Sequence, residues 1–514
     1  MNRFHVFLTS LIMAAIMSST GSAQDDPGYV KPDTSKDDPD VTKELSDEVR
    51  NQGTPKDEVI IQQDDSGTIE GFGGSWRGLK RLERIQFLSN IETIRGSSPL
   101  LPLRPIEHPL DFSVKRPTPL GLVDVNPLLG SPLEPVMRPI RNIEYYLQSN
   151  LGMNFGIYYT LLYQHVTDPI PGTRSDYGTG RLDVNLVWNL WEYPVEGHLD
   201  EAEIGHGLVG VLVRQGNQIG VPNNEFTTES VGSIQGLDSL YTGQFGGAAT
   251  LNLLYYQQGF WNDRIVFSVG KVHPNQYIGL NFWANDESRQ FLAAPFDGIQ
   301  TLGPSQGGYQ LGAALQFVPA DWMYINTMIT DSLGSPNTMF STLDEGYYWG
   351  AVEAGFVIPP FGDDFAGPST VSVIWSNQNL DVLSPTPERI TSNSIALQYQ
   401  GHLSSNLGIW AQGGVAEEHM SPIEAEFSCG IGLEDPLGRK GDLLGVAYNW
   451  SKPSGALDSP EFTVSEQSMF EIFYRIQLTG SCQLSPDIQV VVDPGDRSGS
   501  AIPVIFGLRL TTDF

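Results

Sequence analysis

The chain closes on VIFGLRLTTDF, residues 504–514. Read at every second residue, one face carries Val504, Phe506, Leu508, Leu510, Thr512 and Phe514. The other carries Ile505, Gly507, Arg509, Thr511 and Asp513. A two-residue period with one apolar and one polar face belongs to a half-buried β-strand. In a soluble sandwich the apolar face would meet a second sheet; in a membrane barrel it would meet lipid. The upstream sequence decides between the two.

From about residue 151 the same alternation recurs in sixteen stretches. They lie near 152–165, 179–191, 206–214, 245–258, 263–272, 307–319, 321–330, 346–357, 369–377, 391–402, 406–416, 422–433, 440–450, 467–478, 484–493 and 502–514. Their lengths suit the roughly 9–11 residues that a tilted strand needs to cross a bilayer. No helical period is long enough to build parallel crossovers. Connections after even-numbered stretches are mostly short, as at Trp261–Asp263, Pro319–Asp321 and Leu403–Ser405. Those after odd-numbered stretches are mostly long, as at 215–244, 273–306 and 451–466. The connection after the second stretch is long and that after the eleventh is short, against the trend. An up-and-down barrel with tight turns on one side produces this parity.

The faces agree. Phe470, Ile472, Tyr474, Ile476 and Leu478 oppose Glu471, Arg475 and Gln477; Ile488, Val490 and Val492 oppose Asp487, Gln489 and Asp493. So many ionisable groups suit a wet lumen better than a sandwich core. In hydrocarbon every backbone N–H and C=O needs a partner, so the sheet has to close. The expected fold is all-β: a closed antiparallel 16-stranded transmembrane β-barrel over 141–514, behind an irregular, partly disordered N-terminal extension.

That extension divides into three parts. Residues 1–23 combine Arg3, an apolar run from Val6 to Met17 and the small residues Gly21-Ser22-Ala23, the pattern of a secretory signal peptide cut after Ala23. Residues 24–66 are acidic and poor in apolar residues, as in SKDDPD, and are expected to be disordered. Residues 67–140 are irregular and Pro-rich; RGLKRLERIQFLSNIETI (78–95) has the spacing of a short amphipathic helix. After Ala23 no apolar run is long enough for a helical membrane span.

The net charge of −31 argues against nucleic acid as a partner. The two cysteines, Cys429 and Cys482, could form at most one disulfide, and they cannot build a closed zinc site. The histidines are scattered and form no HExxH-type ligand cluster. No GxSxG nucleophile elbow appears, since GPSQG (303–307) lies between two strand-like stretches, and GFGGSW (71–76) does not lie between a strand and a helix. No enzyme, metal or cofactor is expected.

The last third resembles a known family. GLEDPLGRKGDLLGVAYNWS (432–451), FEIFYRIQLTGSCQLSPDIQVVVDPG (470–495) and FGLRLTTDF (506–514) are similar to the closing strands of carbohydrate-selective porins of the OprB type. RIVFSVGKVHPNQYIG (264–279) is similar to that family's glycine-lysine strand end. The resemblance covers roughly 150–514. It implies a 16-stranded outer-membrane barrel for passive diffusion of sugars and other small polar solutes, with lipid around it. It also implies a terminal aromatic, Phe514, offered as a signal to the barrel assembly machinery. A homo-oligomer stays open.

A pore works by constriction. The resemblance implies an inward-folded loop, and the long connection at 273–306 is the candidate, carrying Trp283, Asp286, Glu287, Arg289 and Asp297. Lumen parity adds the cations Arg181, Arg214, Arg264, Arg475 and Arg509, and the anions Asp183, Glu353, Glu424, Glu426, Glu471 and Asp487. Guanidinium and carboxylate groups exchange hydrogen bonds with sugar hydroxyls. The competing role for each is pairing across the wall, which keeps the barrel stiff. Trp188, Tyr255 and Trp450 fit an interfacial girdle. The alternatives are a general or ion-selective porin, a secreted β-rich glycan-binding protein, and an outer-membrane hydrolase for which no signature appears.

Overall fold

The computed structural model describes residue 147 and residues 153–513, apart from 193–205, 220–226, 241–248, 262–263, 304–307, 321, 335–341, 359–368, 385–387, 405, 458–465, 480 and 496–500. The expected signal peptide (1–23), acidic tail (24–66), Pro-rich extension (67–140) and terminal Phe514 lie outside the described residues.

Sixteen strands follow in sequence. They are β1 Met153–Val166, β2 Asp176–Glu192, β3 His206–Gln218, β4 Thr250–Phe260, β5 Ile265–Val272, β6 Gln310–Ala320, β7 Met323–Asp331 and β8 Tyr348–Ile358. The second half comprises β9 Ser369–Gln378, β10 Ser392–His402, β11 Leu407–Ala416, β12 Ile423–Glu434, β13 Leu443–Pro453, β14 Gln467–Thr479, β15 Cys482–Val492 and β16 Val504–Asp513. Each pairs antiparallel with its sequence neighbours, and β1 pairs with β16 to close the barrel. The described strands all belong to this one closed sheet, so the sandwich reading falls.

The closing strand shows why the wall holds. Phe506 and Leu508 are 47% and 46% exposed on the outside, while Arg509 between Leu508 and Leu510 is 1% exposed on the inside. Ile395, Leu397, Phe427, Phe470 and Ile472 continue the outer apolar belt. The inner face carries amides and hydroxyls, among them Gln164, Gln398, Gln412, Ser428 and Gln489, all buried. Lipid solvates the first set, and the ladder satisfies the backbone between them.

Of five register shifts in the ladder, two are β-bulges that correct sequence expectations. One lies opposite Leu212 and Val213, which pair with Leu253 and Leu251 and leave Asn252 extra. Asn252 and Leu253 are both fully buried as a result. Tyr255 therefore turns inward, 2% exposed, where its ring packs on Gly210. It is no girdle residue, whereas Trp188 is 41% exposed. The other bulge falls between Ile423 and Ala425. It takes Glu424 out of the lumen set: Glu424 Oε1 lies 2.9 Å from Nζ of Lys452, whose side chain is 45% exposed. Arg264 also leaves that set. It sits in the turn before β5, where its backbone N–H donates to the carbonyl of Trp261 and its guanidinium to that of Val318. Cys429 and Cys482 are both free thiols.

Candidate functional site

The connection after β5, residues 273–303, folds back against the inner wall. Pro274 opens a 3-10 turn at Pro274–Gln276, and Pro295 lies in the first turn of α2, Ala294–Asp297. Gly279 (φ +66°) and Gly303 (φ +103°) supply left-handed turns near its two ends. A buried segment without a ladder has to find other partners for its backbone. Here the wall side chains provide them.

Glutamates accept the amide hydrogens. Gly279 N–H donates to Glu353 of β8 at 3.0 Å. Leu292 and Ala293 N–H donate to the two oxygens of Glu471 on β14, at 2.6 and 3.0 Å. Thr301 donates to Glu426 of β12 through both its N–H, at 2.8 Å, and its hydroxyl, at 3.1 Å. Amides, hydroxyls and guanidinium groups donate to the carbonyls. Gln398 and Gln400 of β10 reach Gly279 and Leu280, and Ser428 reaches Pro295. Trp349 and Ser376 reach Leu302, Thr511 reaches Ser288, and Arg509 reaches Glu287 and Gln290. The segment is thus held by strands from β8 round to β16.

Glycine gives it room. Gly408, Gly432 and Gly445 stand side by side on β11, β12 and β13. A Cβ on Gly408 would come 1.9 Å from the Trp283 ring, and one on Gly432 would come 2.4 Å from it. A Cβ on Gly445 would lie 2.9 Å from Phe291, which also packs edge-on against Phe473 at 4.9 Å between centroids. The glycine row is a trench for the loop's aromatic side chains.

Charges gather at the other side of the segment. Arg181 of β2 lies 2.6 Å from Glu287 and 3.0 Å from Asp183. Arg214 of β3 lies 3.0 Å from Asp183 and 3.4 Å from Glu287, and its Nη1 donates to the Tyr309 hydroxyl. Arg289 pairs with Asp513 at 2.6 Å and stands over the Tyr158 ring. Burial pushes the Glu287 carboxyl up, but Arg181 and Arg214 outweigh it and hold it below the ordinary glutamate value. Burial, and then the charges of Glu287 and Asp286, hold Asp297 well above the usual aspartate value. Burial raises Asp286 as well.

A second inward segment had no signal in the sequence. The connection after β3 contains α1, Thr227–Val231, and continues to Leu240. Val231, Leu237 and Leu240 are fully buried. Gln164 and Gln489 donate to the Leu237 carbonyl, Arg181 to that of Leu240, and Gln467 accepts from Ile234 N–H. The two segments touch through Ser239 N–H to Leu292 and Ala294 N–H to Gly236, at 2.8 and 2.9 Å. Its apolar residues Val231, Ile234, Leu237 and Leu240 recur at every third position among Thr, Ser and Gly, which is neither the period of two of a strand nor the mixed three-and-four spacing of a helix face.

Of the lumen candidates, the structure brings together Arg181, Asp183, Arg214, Glu287, Arg289 and Arg509, and uses Glu353, Glu426 and Glu471 as anchors. Asp487 is buried beside Gly507, and Trp283 fills the trench. Among the described residues no group of three metal-ligating side chains could hold an ion.

Residues 209–514 match the family model described as carbohydrate-selective porin, OprB family. Porin AaxA of Chlamydia abortus is 20% identical over 330 residues, which span 63% of this chain and 68% of that one. Porin AaxA of Chlamydia caviae is 21% identical over 330 residues, spanning 63% and 67%. Among solved structures, the high-pH form of Pseudomonas putida OprB superposes with a TM-score of 0.56 at 11% identity, covering 73% of this chain and 97% of that one. That last likeness concerns the fold.

Proposed function

The chain belongs to the carbohydrate-selective porin (OprB) family, and we propose that in this outer-membrane sugar porin the segment 273–303, braced by 227–240, sets the pore's cross-section. Family membership makes the protein a channel rather than an enzyme. The observation that carries the proposal is the clasp of Glu353, Glu426 and Glu471 on loop N–H groups, which fixes the segment inside the barrel. A solute then passes the charged groups Arg181, Asp183, Arg214, Asp286, Glu287, Arg289, Asp297, Arg475, Asp487 and Arg509. Their donors and acceptors exchange with sugar hydroxyls without holding them, as conduction requires.

Three further readings complete the proposal. Residues 1–23 direct export, Phe514 is offered to the assembly machinery, and self-association into a homo-oligomer is compatible with the exposed outer belt. Reconstitution in planar bilayers tests the central one. Discrete conductance steps that shrink as glucose or a disaccharide is added are expected. A general pore would give steps indifferent to sugar. Folded protein giving neither conductance nor sugar-driven liposome swelling contradicts the reading.

A further inference from the structure

Three guanidiniums from three elements approach each other in the lumen: Arg289 on the inward segment, Arg475 on β14 and Arg509 on β16. Two are committed. Arg289 pairs with Asp513 at 2.6 Å. Arg509 donates to the carbonyls of Glu287 and Gln290. Arg475 differs. It shares the inner face with its buried neighbours Phe473 and Gln477, and its Nε, like that of Arg509, is buried without a partner. Among the described residues its guanidinium makes no hydrogen bond and no ion pair.

Its surroundings make that state costly. The positive charges of Arg289 and Arg509 both act on it, against Asp286 and Glu434, neither of which comes within ion-pair distance. One Asp286 oxygen is already taken by the N–H and hydroxyl of Ser288, at 3.0 and 2.6 Å. Burial also favours the neutral form of Asp286. A partly buried cation between like charges gains most from an anion that enters, and a guanidinium fork matches a carboxylate in two parallel hydrogen bonds.

We propose that Arg475, flanked by Arg289 and Arg509, is a carboxylate station that lets this porin pass sugar acids alongside neutral sugars. The proposal rests on the porin reading above and adds an anionic subclass of permeant to it. The station holds its anion weakly, because Arg289 and Arg509 already have partners and a single fork does the binding.

The test measures flux of glucuronate, glucose and chloride through reconstituted wild type, Arg475→Gln and Arg475→Lys, with heat-modifiable gel mobility reporting a folded barrel. One charge-assisted contact corresponds to about tenfold in occupancy. Arg475→Gln is therefore expected to lower the glucuronate-to-glucose flux ratio by up to about tenfold, with the folded mobility retained. Arg475→Lys keeps the charge but loses the fork, and is expected to fall between the two. An unchanged ratio in folded Arg475→Gln overturns the station. So does an equal loss of chloride and glucuronate flux, which would mean a general field and no carboxylate fork. Wild-type protein that passes glucose but no glucuronate overturns the station and leaves the porin reading standing. Wild-type protein that passes neither sugar overturns the porin reading itself.

Discussion

Two arcs of the inner wall use charge in different ways. From β8 to β14, Glu353, Glu426 and Glu471 direct their carboxylates at backbone N–H groups of the inward segment. On β2 and β3, Arg181, Asp183 and Arg214 meet a side chain of that segment, Glu287, in an alternating ion network. The first arc turns lumen-parity charges into anchors, with little left over for a solute. The second keeps formal charges of both signs facing each other, buried between the wall and the loop. A charge inside a barrel is thus evidence of a wet pore only after its partner is known.

Breaking the first arc should have the largest effect. Replacing Glu353, Glu426 and Glu471 together by alanine strips the acceptors from buried loop N–H groups, each loss costing about 1–3 kcal/mol. The segment is expected to lift off, giving larger and noisier single-channel steps with the barrel still heat-modifiable; quiet steps of wild-type size would refute the anchor role. Next comes the second arc. Glu287→Gln leaves Arg181 and Arg214 underpaired at a cost of about 3–5 kcal/mol. The zero-current potential in a salt gradient should move toward anion preference, and an unmoved potential would show that Glu287 does not face the permeation path.

The trench sharpens the comparison from the packing side. Gly432→Val overfills the space under Trp283 at about 1–3 kcal/mol. The ring should be driven toward the lumen and conductance should fall, with Trp283→Ala in the same chain restoring it. A loss that Trp283→Ala cannot restore would place the fault in the strand instead.

Acidity gives the smallest effect, and the sign differs between groups. Asp297, raised in the folded protein, binds its proton more tightly there than in the unfolded chain, so its contribution falls as pH rises through the raised value. Glu287, held low by the arginines, contributes above the ordinary glutamate value and is lost only as pH falls through its depressed one. As pH falls through the raised Asp297 value the pore should therefore lose cation preference, while the Glu287 network persists until pH falls through its depressed one. Asp297→Asn should flatten the change in zero-current potential; a variant that titrates like wild type would assign the change elsewhere.

The barrel was legible because its signal is periodic and repeated. Sixteen alternating stretches recover all sixteen strands in order, with ends shifted by a few residues where pairing continues past the apolar run, as at Asp176–Gly178 in β2. The inward course of 273–303 followed from its length and from family resemblance. The function of its anchors was not legible, because the partner of Glu471 is backbone that any residue could supply. Glu424 and Tyr255 were misplaced for another reason. A β-bulge adds one residue and reverses every side chain beyond it, and nothing in EAEF or LNLLYY announces the extra residue. The segment 227–240 was missed because its one signal, Val231, Ile234, Leu237 and Leu240 at every third residue, matches neither a strand nor a regular helix face.

The most direct test of the constriction is single-channel conductance after deletion of residues 280–298. This removes Trp283, Glu287, Arg289 and most of the contacts to Glu471 and Arg509, but leaves all sixteen strands. The account predicts a folded barrel with a severalfold larger conductance, a larger solute size limit and loss of block by added sugars. A deletion variant whose conductance, size limit and sugar block all match the wild type would contradict it.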